Sequence, residues 1–441
     1  MNYIDLFAGA GGLSEGFYNA GFTPIAHVEM DAAACDTIRT RMAWLYLRDT
    51  ARRPEVYWDY LSHHITREEL YAQVPAKELH SVINEAIGEK TRPAIFAAID
   101  KQLQGQQVDL IIGGPPCQAY SVAGRAKMKE EAITDPRNFL YVQYAHFLRR
   151  YNPRMFVFEN VLGLLSAKNG EHLYNIRRIV EKSGYEMEVR QLNAADYGVP
   201  QSRKRLIIIG WLKGTQLGYP KFRKRKSDLV DEVLRDLPPL QPGMQYEGAY
   251  TKPTTNYLRE TGIRPVNWPV LTQHIARAHR PTDVEIYRLA IEQWNTSKER
   301  LQYSNLPPRL ITHLNVKSFL DRFKVVAANL PYAQTVVAHI NRDGHYYIHP
   351  DYEQGRSLSV REAARLQTFP DDFFFEGHRT AVFKQIGNAV PPLLATEIGR
   401  RVWSMLIGNG EVCNDKPPKE RMKHVRPVVL PARQMQLFPA V

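Results

Sequence analysis

The sequence predicts an α/β protein with a second, smaller and less regular domain set into it. Three observations carry this. Short apolar, β-branched runs recur, each followed by a turn and then by residues of helical periodicity: Tyr3-Ile4-Asp5-Leu6-Phe7, Val108-Asp109-Leu110-Ile111-Ile112 and Arg154-Met155-Phe156-Val157-Phe158. Runs of that length and composition are buried strands. The alternation stops near residue 212 and is absent from 213–355, where Pro, Thr, Tyr and Gly are frequent over 237–270. It resumes with the helical pattern of Arg361-Glu362-Ala363-Ala364-Arg365-Leu366-Gln367. The predicted organisation is a first domain over 1–212, a second over 213–355, a return to the first over 356–408 and a flexible tail over 409–441. The tail is rich in Pro and Lys, which predicts poor order.

A chain of 441 residues, 44% hydrophobic and 24% charged, has the composition of a soluble globular protein large enough for two domains. The formal net charge of +12 favours a polyanionic partner, most simply nucleic acid. Cys35, Cys117 and Cys413 are far apart and odd in number, which argues against a disulfide framework or a zinc knuckle and for a reducing compartment. The chain enters a strand at once, with no leader pattern and no room for a preceding regulatory domain. No apolar run is long enough to span a bilayer. Together these features predict a cytoplasmic protein.

The first strand ends in Ala8-Gly9-Ala10-Gly11-Gly12, and Leu13 to Ala20 reads as the helix after that turn. Strand, glycine turn and helix N-terminus make the layout of a nucleotide pocket. The dinucleotide fingerprint is broken because position 14 is Ser14. A second strand, Thr23 to Val28, ends at Glu29, about 20 residues after the turn, where a carboxylate accepts hydrogen bonds from a ribose. A ligand with a ribose but no pyrophosphate fits, and S-adenosylmethionine is one. Residues 42–97 read as a helical insertion. Asp100, after Ala97-Ala98-Ile99, is expected to open the next strand–loop and reach an adenine amino group.

The stretch Gly113-Gly114-Pro115-Pro116-Cys117-Gln118-Ala119-Tyr120-Ser121 follows a buried strand. Glycines let the backbone turn and a ligand approach, and prolines stiffen the loop. A thiol held there sits where open α/β sheets bind ligands, and reads as a nucleophile. The run Arg125-Ala126-Lys127-Met128-Lys129 beside it suits either a phosphate backbone or a solvated loop. Glu159 ends the neighbouring strand on the same rim, as a proton donor or hydrogen-bond partner for a ring nitrogen. In Gln201-Ser202-Arg203-Lys204-Arg205, alternation puts Arg203 and Arg205 on one face. Two guanidinium forks there suit a phosphate or a carbonyl oxygen. Lys221-Phe222-Arg223-Lys224-Arg225-Lys226 is strongly basic. Finally Gln385-Ile386-Gly387-Asn388-Ala389-Val390-Pro391-Pro392 opens a helix to about Leu406, whose apolar faces require packing on the first domain.

Taken in order, these motifs resemble the DNA cytosine-5 methyltransferases of prokaryotic and phage restriction–modification type. The resemblance covers nearly all of 1–40, 108–212 and 356–406. It implies an S-adenosylmethionine-dependent, Rossmann-like fold: a mixed, mostly parallel sheet with helices on both faces. A small target-recognition domain across a DNA cleft accounts for 213–355. Phe7, Ala8, Gly9, Gly11, Gly12, Glu29, Asp100 and Pro115 are then expected around the cofactor, with Asn388 returning to close its pocket. Cys117 is the expected nucleophile, Glu159 its partner at the ring, and Arg203 and Arg205 the clamps. Ala123 stands where some relatives carry a serine that fills the gap left by a flipped base. The implied substrate is a short sequence in double-stranded DNA, the implied state a monomer, with a cognate endonuclease as a separate partner. A tRNA enzyme of the same fold is the rival reading. Such relatives usually carry a threonine where Ser121 stands and a Cys-Phe-Thr motif in the recognition region, yet no cysteine occurs between 117 and 413. A non-catalytic DNA-binding protein predicts a broken site, whereas Cys117, Glu159 and Arg205 are all present.

Overall fold

The computed structural model describes residues 1–115, 140–312 and 319–413. Cys117, Ala123, the basic run 125–129 and residues 414–441 lie outside the described residues.

Seven strands form one sheet in the order β3-β2-β1-β4-β5-β7-β6. They are β1 (Asn2–Leu6), β2 (Thr23–Glu29), β3 (Val82–Asn84), β4 (Leu110–Gly113), β5 (Met155–Asn160), β6 (Tyr185–Asn193) and β7 (Lys204–Leu212). The pairs among β1 to β5 are parallel, and β7 runs antiparallel to both β5 and β6. Consecutive residues point to opposite faces. Thus Ile4, Leu6, Ile111, Phe156 and Phe158 pack with Val142 and Ile176 on one side. Tyr3, Leu110, Ile112, Met155 and Val157 pack with Phe17 and Ile398 on the other. The strand order reverses between β1 and β4, where Leu6 pairs with Gly113. The crevice beyond such a reversal is where open α/β sheets bind ligands. Gly113 has no alternative residue here, because a Cβ would collide with the Leu6 carbonyl.

Residues 42–97 are not wholly an insertion. Helix α1 (Gly12–Asn19) and helix α2 (Ala32–Leu45) follow the first two strands. The inserted part is a wide turn over Tyr46–Ala51 and helices α3 (Pro54–Leu61), α4 (Arg67–Ala72) and α5 (Ala76–His80). Strand β3 comes next, inside the predicted insertion, and has only three residues, too few to show alternation. Ala97 to Asp100 then lie in α6 (Arg92–Leu103), with a proline in its first turn. The insertion buries Trp44, Tyr57 and Leu70 against Trp268 of the second body.

The second body holds a two-stranded sheet, β8 (Gln245–Gly248) and β9 (Leu271–Ile275), and a long helix, Pro281–Ser297. Its core also takes in residues predicted to return to the first domain. Val360, Ala364, Phe369, Phe383 and Ile386 pack with Val230, Val233 and Tyr257. Only the helix Pro392–Leu406 returns fully, crossing α1 through small residues. A Cβ on Gly16 would strike Ala395, and one on Gly399 would strike Ala20. The motif predicted to open this helix instead closes the preceding one, Arg379–Asn388, and the chain turns at 389–391. Of the predicted tail, Val412 bridges Pro220 and Cys413 N–H bonds the Tyr219 carbonyl at 2.8 Å.

The motif Arg361–Gln367 owes its charges to packing rather than to a surface. Arg361, Glu362 and Arg365 are all buried. Glu362 accepts two bonds from Arg356 and one from Ser359 N–H, and Arg365 pairs with Asp236 and Asp371. Each buried charge is therefore matched by an opposite one, as burial requires.

Candidate active site

The glycine turn adopts the backbone that its sequence predicts. Gly9 and Gly11 have φ of 56° and 78°, and Phe7, although not glycine, sits at 61°. Ala8 N–H bonds the Val28 carbonyl, and Gly11 N–H bonds that of Ala8, which closes the turn. The Glu29 carboxylate faces this turn. Its Oε2 accepts from Gly9 N–H at 2.9 Å, and its Oε1 accepts from Met30 and Asp31 N–H at 2.9 and 2.8 Å. Space remains beside it, since a Cβ on Gly9 would meet nothing within 4 Å. A ribose-bearing ligand fits an open glycine turn with an acid beside it. Sequence reasoning missed Met30, an apolar side chain 67% exposed next to Glu29. Its exposure marks the rim, which no periodicity could have shown.

The C-terminal motif does come back to this turn. Gly12 packs against the Val390 carbonyl, with no room for a Cβ. Asn388 is exposed, at the last residue of its helix. Gln367 Nε2 bonds the carbonyls of Ile386 and Ala389, and Gln201 Nε2 bonds Gln367 Oε1 at 2.8 Å. Three motifs distant in sequence are thereby tied together.

Glu159 and Arg205 meet on the rim at the end of β5. Register pairs Glu159 with Ile207 and Asn160 with Leu206, which sets Arg205 just beyond. Arg205 Nε lies 2.8 Å from Glu159 Oε1, with both side chains about one-eighth exposed. Gly114 lets the acid sit close, since a Cβ there would lie 3.1 Å from Glu159 Oε2. Asn160 Nδ2 reaches the carbonyl of Pro115, which is the last described residue before the cysteine loop.

Two expectations are corrected. Asp100 does not reach the cofactor rim. It lies near the end of α6 and pairs at 2.6 Å with Arg150, which closes the helix Leu140–Tyr151. Both helices lead into the amino ends of strands, so the pair sits on the edge of the sheet opposite the rim. Helical periodicity, not strand alternation, governs Ala97–Asp100. At the carboxyl end of β3, Asn84 instead bonds the carbonyls of Glu29 and Met30.

Arg203 is not a second rim clamp. It is buried and donates to the carbonyls of Val336, at 2.6 Å, and Gly387, at 3.2 Å. Burial pushes its pKa down, and nearby Arg205 adds to that, against the opposing pull of Glu159. Alternation set both arginines on one face, but the 333–338 segment covers Arg203 and leaves Arg205 to the acid. That segment went unnoticed in the sequence.

A glycine-turn pocket and an acid–arginine pair on the rim of a mixed, mostly parallel sheet define a group-transfer enzyme of the methyltransferase class. The chain belongs to the C-5 cytosine-specific DNA methylase family, which it matches over residues 1–51 and 80–404. The unmatched part, 52–79, falls in the inserted helices. Type II methyltransferase M.Bpa9945I of Bacillus paralicheniformis is 40% identical, over 93% of this chain and all of that one. Type II methyltransferase M.DdeI of Desulfomicrobium norvegicum is 30% identical, over 94% and 91%. In fold, the crystal structure of a putative DNA modification methyltransferase encoded within an E. coli prophage superposes with a TM-score of 0.62. It is 23% identical and covers 92% of this chain and 99% of its own. The protein is a DNA (cytosine-5-)-methyltransferase. Among the described residues no helix is long and apolar enough to cross a membrane.

Proposed function

We propose that this chain modifies cytosine within one short duplex sequence, as the monomeric methylase of a type II restriction–modification pair whose endonuclease acts separately. The curated relatives named above are type II methyltransferases, and the basic balance of the chain suits a DNA partner. S-adenosylmethionine is the proposed donor, and when bound it supplies an electrophilic methyl group. Glu29 would hold its ribose, the Phe7–Gly12 turn its polar end, Met30 a face of its base and Asn388 the mouth of the pocket.

Cytosine carbon 5 is a poor nucleophile inside an aromatic ring. Addition of the Cys117 thiolate to carbon 6 breaks the aromaticity and makes carbon 5 enamine-like, which splits one hard step into two. Glu159, bonded at N3, would offset charge developing on the ring. Arg205 orients that carboxyl group and presents its remaining N–H donors to the ring oxygen. After transfer a base takes the carbon 5 proton, and the thiolate leaves by elimination. The target atom is out of reach inside a duplex, so the base is flipped, at a cost of a few kcal/mol.

The observation that carries this reading is the Glu159–Arg205 pair set against Gly114, on the loop that leads to Cys117. The test is base-resolution mapping of 5-methylcytosine in DNA from a methylation-free host. Methylation at one short motif, lost in Cys117→Ala, is the expected result. Unmethylated DNA despite soluble protein would overturn it.

A further inference from the structure

Loop 329–341 belongs to the second body and runs along the catalytic rim. Its backbone is held at nearly every residue from 333 to 338. Ala333 N–H bonds the Pro200 carbonyl at 3.0 Å, and Ser202 N–H bonds the Ala333 carbonyl at 2.9 Å. Thr335 Oγ1 donates to the Ser202 carbonyl. Val336 N–H bonds Gln201 Oε1 at 3.0 Å, and its carbonyl accepts from Arg203. Val337 N–H bonds the Tyr347 hydroxyl at 3.1 Å. Behind it, Gly387 touches the backbone at Val337 and Ala338 so closely that a Cβ would not fit.

On this pinned backbone the Val337 side chain is 38% exposed. A lone surface valine means nothing. A stiff, β-branched side chain on an immobilised loop is different, because presenting it to a partner costs little further entropy. Its place is informative too. The preceding residue is held by Arg203, which lies within electrostatic reach of Arg205 and Glu159. Its backbone abuts Gly387, the neighbour of Asn388. Leu330 and Tyr332 are exposed on the same loop, but the anchor beside them is Pro200, further along the chain from Arg205. Once a cytosine has left the stack for the Glu159 pocket, the gap behind it is a flat apolar slot that the base can re-enter. Apolar side chains inserted at base steps oppose such restacking.

We infer that Val337 enters the duplex where the target cytosine has left it and keeps the base flipped. This rests on the proposed function. The test uses full-length enzyme and two duplexes carrying the methylated motif. One pairs the target cytosine with guanine, and the other sets it opposite an abasic site, so that little flipping cost remains. Val337→Ala should lose about tenfold or more in kcat/KM on the paired duplex, since opposing the restacking of a flipped base is its role. On the abasic duplex it should stay within about threefold of the unsubstituted enzyme, with cofactor affinity unchanged. Val337→Leu should retain activity on both. Equal loss on both duplexes, or no loss on either, overturns the inference. An unsubstituted enzyme inactive on both would instead defeat the proposed function. Val337→Thr, of matching shape, stands in if the alanine variant does not fold.

Discussion

Arg205 Nε and Glu159 Oε1 lie 2.8 Å apart across the antiparallel β5–β7 pair, at the one end of the sheet where the cysteine loop begins. The pair is partly buried and joins residues from two strands. It fixes the carboxyl group from behind while Gly114 leaves space in front of it.

Glu159→Gln should lower kcat by about 10²–10⁴-fold, the usual weight of a positioned acid or base. Cofactor binding should be unchanged, because Glu29 and the glycine turn are untouched. Arg205→Lys should also fall well below the unsubstituted enzyme, since an ammonium cannot hold the acid and present further donors in one plane. Single-turnover methylation assays with calorimetric cofactor binding check both.

Glu29→Gln should weaken cofactor binding at least tenfold and cost about 1–3 kcal/mol of stability. The carboxylate accepts three backbone N–H groups through both oxygens. An amide replaces one oxygen with an NH2 that faces an N–H donor. Isothermal titration with S-adenosylmethionine and urea unfolding read the two effects.

Gly12→Ala should destabilise the protein by about 1–3 kcal/mol through overpacking. The added methyl would meet the Val390 carbonyl, Phe369 and Ala389. Gly9→Ala is the contrast. Space is open there, and the cost is that of a positive φ alone. Comparing the two melting temperatures separates crowding from backbone strain.

Acid should weaken the fold through buried histidines. Burial pulls His27 down to about 4, and it sits in a chain of bonds from Tyr3 through Ser14. A histidine whose folded pKa is lowered takes up its proton first in the unfolded chain. Its stability is thus complete above the unfolded value near 6.5 and is lost as pH falls towards 4. For His27 the full loss is on the order of 3 kcal/mol. Urea midpoints at pH 7 and pH 5 should differ, and less so in His27→Gln.

By itself the sequence determined the elements that local chemistry controls. The positive φ of Gly9 and Gly11, the bonding of Glu29 to the turn, and the strand ends at Gly113 and Glu159 all follow from residue type and short-range pattern. Tertiary structure decided what depends on partners far along the chain. Arg203 and Arg205 have the same parity, yet Val336 and Gly387 bury one while Glu159 takes the other. Arg361, Glu362 and Arg365 read as a charged helix face, and only Arg356, Asp236 and Asp371 make their burial possible. Asp100 moved from the rim to the opposite edge because a single proline-led helix replaced an expected strand. A side chain's alternation or period specifies which way it points. What it meets there is set by the segment that folds over it, and no local pattern encodes that segment.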